Sequence, residues 1–188
     1  MGYAAYSQNA LSFDDFLVLE SNSEIKHEYI GGEIHAMAGA SRRHNLIAGN
    51  LFAALHAHLR GSPCRVFMSD MLLRLSIAQD DIGYYPDVMV ACQSEDKHPR
   101  YLEHPTILVE VLSDSTRRTD LREKFLAYQQ LASLQEYLIV EQDTQRLVLF
   151  RRSHDWQAAV LDSNAILNLP SIGFNLAVAE IYDAVALD

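Results

Sequence analysis

The chain has 188 residues, 49% hydrophobic and 21% charged, with a formal net charge of -10 at pH 7. Those values fit one globular domain spanning residues 1–188 and exclude intrinsic disorder. No apolar run reaches bilayer-spanning length, so a membrane partner is not expected. The acidic total also argues against a protein that grips polyanions through a broad basic face. Basic residues are few and clustered, at Arg42-Arg43, at Arg117, Arg118 and Arg122, and at Arg151-Arg152. Each cluster reads more readily as solvated surface charge, whereas the acidic excess suits a carboxylate-rich site awaiting divalent cations. The first residues, MGYAAYSQNALSF, lack the basic and apolar segments of a signal peptide, and Tyr6 stands where a myristoylation motif requires Ser or Thr. A cytoplasmic protein is expected, with Cys64 and Cys92 as reduced thiols in preference to a disulfide.

In chain order, Leu11 to Glu20 predicts a short helix, with Ser12 as N-cap and Asp15 three residues on. Glu24 to Ala38 predicts a hairpin around Gly31-Gly32, a dipeptide suited to the positive φ angles of a tight turn. Glu28 alternates with Ile30 on its first strand and reads, from spacing alone, as an exposed strand carboxylate. Ser41 to Arg60 carries Ile47, Leu51, Leu55 and Leu59 at helical spacing, and Gly61 and Pro63 end it. His44 lies near its start and reads first as a capping or core histidine. His56 and His58, two apart on that helix, point to different sides and make a poor zinc chelate with Cys64. Arg65 to Ile77 predicts one or two strands broken near Ser69-Asp70, with Gln79 to Gly83 as a polar turn. A strand opened by Asp87 follows, then a charged, proline-bearing loop from Gln93 to Pro105. Thr106 to Leu112 is apolar on both faces apart from Glu110, as in a central strand covered on both sides. Asp120 and Glu123 form a capping box for a helix whose stripe holds Leu121, Lys124, Phe125, Tyr128 and Leu131. Glu136 to Glu141 and Arg146 to Arg151 predict further strands, Trp156 to Leu161 and Ile166 to Leu169 edge strands, and Ala179 to Val185 a terminal helix. The order predicts an α/β fold, a mixed sheet with helices on its faces.

Three charges stand out. Asp87, Glu110 and Lys124 each occupy a position where an apolar residue is expected, and a charge there is costly unless paired or metal-bound. Two carboxylates on adjacent buried strands can hold a hard cation such as Mg²⁺, and a nearby amine can orient a water or neutralise developing charge. Equally, Glu110 and Lys124 can be a buried ion pair and Asp87 a turn cap. On spacing alone the two readings are evenly matched.

The motifs PDV at Pro86–Val88, LVEVLSDST at Leu108–Thr116, D-x-x-x-K-x-x-x-Y at Asp120–Tyr128 and EYLIV at Glu136–Val140, with KHEYIGGEIHAMAGASRRHNLIAGNL upstream, resemble the Uma-two family. That family belongs to the PD-(D/E)XK nuclease superfamily, and the resemblance covers roughly residues 10 to 152. It implies a restriction-endonuclease-like fold, a central mixed β-sheet flanked by α-helices. It implies an Mg²⁺-dependent endonuclease, with Mn²⁺ as substitute and DNA as the favoured nucleic acid. Asp87 and Glu110 would be the metal carboxylates, with the Val111 carbonyl a further ligand, Lys124 the catalytic lysine and Glu28 an acid completing the site. The chain departs from the superfamily at Leu112, where the lysine normally stands; the family carries it on the following helix. His44, Asp70, Asp120 and Tyr128 match family positions around the site. A homodimer that engages both strands is a further expectation. The rivals are an inactive module that binds or assembles with the same fold, and a hydrolase acting on RNA or another phosphate ester.

Overall fold

The computed structural model describes residues 10–92, 96–113 and 119–187, and for residues 119–121 the backbone alone. The elements are α1 (Phe13–Glu20), β1 (His27–Ile30), β2 (Glu33–Ala36), α2 (Arg42–His58), β3 (Arg65–Met68), β4 (Leu72–Ile77), β5 (Asp80–Tyr84), β6 (Val88–Ala91), β7 (Tyr101–Leu102) and β8 (Ile107–Val111). A π-helical turn (Thr119–Lys124) runs into α3 (Phe125–Tyr128), followed by β9 (Glu136–Val140), β10 (Arg146–Arg151), β11 (Ala158–Asp162), β12 (Ile166–Leu169), β13 (Phe174–Ala177) and α4 (Val178–Ile181). Among the described residues no helix is long and apolar enough to cross a membrane.

Local chemistry sets most of these boundaries. Ser12 caps α1 by accepting from the Asp15 N–H at 3.1 Å, and Ser41 caps α2 by accepting from the His44 N–H at 3.1 Å. Gly31 and Gly32 turn β1 into β2 at φ +56 and +98, angles that side chains with a Cβ resist. A Cβ at Gly32 would also meet Ala10 at 2.7 Å.

A mixed six-stranded sheet, ordered β11-β10-β9-β8-β6-β3, lies at the centre. Its β8–β9 pair is parallel and the other pairs are antiparallel. A five-stranded sheet is ordered β2-β1-β5-β4-β7, and β12 with β13 forms a separate hairpin. Strand alternation divides the apolar residues of the central sheet. Val88, Val90, Ile107, Val109 and Val111 join Ile47, Leu51 and Leu55 of α2, with the β12–β13 hairpin and α4, in one core. Met89, Leu108, Tyr137 and Ile139 join Leu73, Leu75 and Tyr84 of the second sheet and Tyr128 of α3 in another. Both faces are covered, which is why β8 and β9 are buried throughout.

Several expectations need correction. Gln79 to Gly83 is not a turn: only Ala78 and Gln79 turn, at φ 51 and 79, and the next residues pair with β4 as β5. The segment bearing Lys124 is a π turn followed by one short α-turn, not a regular helix. A π turn adds a residue per hydrogen-bonded ring and so changes which side chains share a face. Leu131 accordingly lies past the end of α3, although it is buried. The strands β7 and β13 have no matching expectation in the sequence pattern. Cys64 and Cys92 are joined as a disulfide, with Cα atoms 3.9 Å apart. Arg65 pairs with Ala91 across β3 and β6, so continuing that register places Cys64 opposite Cys92. The bond removes the reduced-thiol argument for a cytoplasmic protein.

Candidate active site

Strand register brings the unusual charges together. Val88 faces Val109 and Met89 faces Leu108 across β6 and β8, and the same register continued by one residue sets Asp87 opposite Glu110. Alternation turns Glu110 to the face of β8 that Leu108 and Leu112 share, the side of α3 and the second sheet. Because β8 and β9 are parallel, the chain between them must cross over one face of the sheet. Lys124 and Tyr128 ride on that crossover, and it lies over Glu110.

The Lys124 Nζ lies 2.9 Å from Glu28 Oε1 and 3.2 Å from Glu110 Oε1. It also sits 5.2 Å from the centroid of the Tyr84 ring. The Tyr128 hydroxyl donates to Glu110 Oε1 at 2.8 Å. Asp87 Oδ2 accepts the Val111 N–H at 2.7 Å and lies 3.1 Å from His44 Nε2. Exposure is graded across the group: the side chains of Glu110 and Lys124 are 4% and 5% exposed, those of His44, Asp87 and Glu28 14–15%. Glutamate and amine are therefore the buried members of the group, and the other three are partly exposed.

The tyrosines respond to this setting. Burial, reinforced by the Glu28 charge and partly offset by Lys124, raises the Tyr84 hydroxyl to about 12. Burial and then the Glu110 charge push the Tyr128 hydroxyl well above its ordinary value. Both phenols stay protonated near neutrality, so Tyr128 is a lasting donor to Glu110.

Asp87, Glu110, Lys124, Glu28, His44, Tyr128 and the Val111 backbone are thus gathered at one place. Glu28, expected from spacing to be an exposed strand carboxylate, is instead turned inward onto Lys124. Asp70 is not among them: its carboxylate is 91% exposed on the β3–β4 turn and bonds Lys26 Nζ at 2.6 Å. The Asp120 side chain and its capping box, like Arg117 and Arg118, lie outside the described residues. Tyr84 carries no local sequence signal for the site: its ring reaches Lys124 only through the pairing of β5 in the second sheet. Other basic clusters have structural duties: Arg43 pairs with Asp143 at 3.1 Å, and Arg152 donates to the Leu134 carbonyl at 2.7 Å. His58 Nε2 contacts the Ile172 carbonyl at 2.9 Å. Among the described residues no three of His, Cys, Asp and Glu cluster as metal ligands do. Two surface clefts, about 370 Å³ beside Cys64 and about 250 Å³ beside Glu20 and Tyr85, lie apart from this group.

The central mixed sheet covered by helices is that of a restriction-endonuclease-like fold. A solved structure from Anabaena variabilis, titled a putative nuclease belonging to DUF820, superposes with a TM-score of 0.75 at 19% identity, over 92% of this chain and 98% of that one. The chain belongs to the Uma2 family, whose model carries the description "Putative restriction endonuclease" and matches residues 13–179. Two Synechocystis relatives, uncharacterized proteins slr1290 and sll1609, are each 35% identical. The first alignment spans 94% of this chain and 93% of the relative, the second 78% and 84%.

Proposed function

We propose that this chain is a metal-dependent endonuclease that hydrolyses phosphodiester bonds in DNA. The observation that carries the reading is the buried Lys124 amine shared by Glu110 and Glu28, with Asp87 in register across the neighbouring strand. The donor set fits a hard dication: Asp87 and Glu110 offer carboxylate oxygens from adjacent strands, and the Val111 carbonyl is a candidate third oxygen. Mg²⁺, or Mn²⁺ in its place, binds through few protein carboxylates and keeps several waters. Bound there, such an ion supplies Lewis acidity and a water of lowered pKa. The chain's own groups do the rest. Tyr128 and the Val111 N–H fix one oxygen each of Glu110 and Asp87, and His44 holds Asp87 from the start of α2. Lys124 places a positive charge where a phosphoryl group gathers negative charge in the transition state.

The test joins binding to turnover. Mn²⁺ and Mg²⁺ are titrated against the melting temperature, and cleavage is scored on single- and double-stranded DNA and RNA. A metal-dependent rise in melting temperature with metal-dependent DNA cleavage is expected. No rise with either ion favours the inactive-module reading, and cleavage confined to RNA moves the substrate. The expected homodimer and cytoplasmic location belong to the same reading; light scattering and cell fractionation test them.

A further inference from the structure

The second sheet contributes to the site as a pair. Across β1 and β5, Tyr29 faces Gly83 and Ile30 faces Ile82, and that register continued places Glu28 opposite Tyr84. Carboxylate and ring are therefore cross-strand neighbours that meet the same amine, Glu28 at 2.9 Å and the Tyr84 centroid at 5.2 Å. Asp87 is held by different groups, the Val111 N–H and His44. We propose that Glu28 and Tyr84 are positioning residues that hold the Lys124 amine, acting on the reaction through that amine and not as metal ligands.

The inference rests on the nuclease reading above and changes the part Glu28 plays in it. Lysine is a compact charge on a flexible four-carbon stem, so a lysine that must stand at one point needs partners to hold it there. Glu110 is one partner, yet Glu110 is also a candidate metal carboxylate. Once a cation claims Glu110, amine and ion carry like charge and repel. A second carboxylate and an aromatic face, both from another sheet, keep the amine in place without competing for the ion. The burial of Lys124, at 5% side-chain exposure, leaves little water to do the same work.

The experiment compares Glu28→Gln, Glu28→Asp, Tyr84→Leu, Tyr84→Phe and Lys124→Met, and the Glu28→Gln/Lys124→Met double variant. Each is measured for kcat and KM on DNA, Mn²⁺ affinity by calorimetry, and thermal melting. We expect Glu28→Gln to lower kcat by about tenfold or more, with KM within about threefold. Glu28→Asp recovers part of that loss, and Tyr84→Phe, which keeps the ring, recovers most of what Tyr84→Leu loses. Adding Glu28→Gln to Lys124→Met costs nothing further in kcat and leaves Mn²⁺ affinity within about tenfold. A Mn²⁺ affinity that falls more than about tenfold on that addition, or losses in kcat that multiply, makes Glu28 a metal ligand and overturns the proposal. Failure of the wild-type chain to bind Mn²⁺ or cleave is a different result: it removes the nuclease reading and this inference with it.

Discussion

Replacing Lys124 by Met tests the centre of the site without any knowledge of substrate. Methionine keeps most of the apolar stem, so packing changes little. The substitution deletes an ammonium that lies against both Glu110 and Glu28. Glu110, 4% exposed, keeps the Tyr128 hydroxyl but loses the Lys124 charge; Glu28, at 15%, keeps some water. Removing one partner of a buried ion pair costs about 3–5 kcal/mol, because the remaining charge stays desolvated. For a chain of this length each kcal/mol moves the melting point by about 2–4 °C, so a fall of roughly 6–20 °C is expected. Urea and thermal melts followed by circular dichroism measure it. The sign of a second substitution gives the sharper check: Glu110→Gln added to Lys124→Met should raise stability above that of Lys124→Met alone, since it removes the buried carboxylate charge that faced the lost ammonium. A loss below about 1 kcal/mol for Lys124→Met, the range of an exposed ion pair, or a further fall in the double variant, refutes the reasoning.

Glu110→Gln alone should abolish metal-dependent cleavage while the far-ultraviolet spectrum stays that of the wild type; unchanged turnover would remove Glu110 from the mechanism. Converting Cys64 and Cys92 to serine opens a cross-link between residues 28 apart in sequence. The denatured chain then gains freedom equivalent to about 3–4 kcal/mol, and a dithiol reductant should lower wild-type stability by a similar amount. Alkaline titration read at 295 nm should find Tyr84 and Tyr128 resisting ionisation, together with Tyr85 and Tyr182, which burial also raises. A group whose pKa is raised on folding favours the protein below its unfolded value, so this stability is complete below about pH 10. It is lost as pH climbs through the Tyr84 value of about 12; tyrosines that all titrate near pH 10 in folded protein would contradict that.

How much was legible in the chain depended on the range of the signal. Ser12 announced its helix because a cap is a contact three residues long. The Gly31-Gly32 turn was equally plain, since its positive backbone angles are a local demand. Asp87, Glu110 and Lys124 drew notice because charge among apolar neighbours violates a local rule, and the family motifs lent them roles. Their meeting was beyond local reasoning. It needed the β6–β8 register, the parallel β8–β9 pairing and the crossover that follows from it. The same dependence explains the misses. Cys64 and Cys92 became bonding neighbours only through the pairing of β3 with β6. Tyr84 came to face Lys124 only because β5 pairs with β1 and β4. Glu136, at the start of β9, is buried and accepts from the Ser171 hydroxyl and N–H, a contact 35 residues away in sequence. Propensity, caps and turns act over a few residues and are written into the chain locally. Which strands lie side by side is settled by burying both faces of a sheet at once, and that choice belongs to the folded whole.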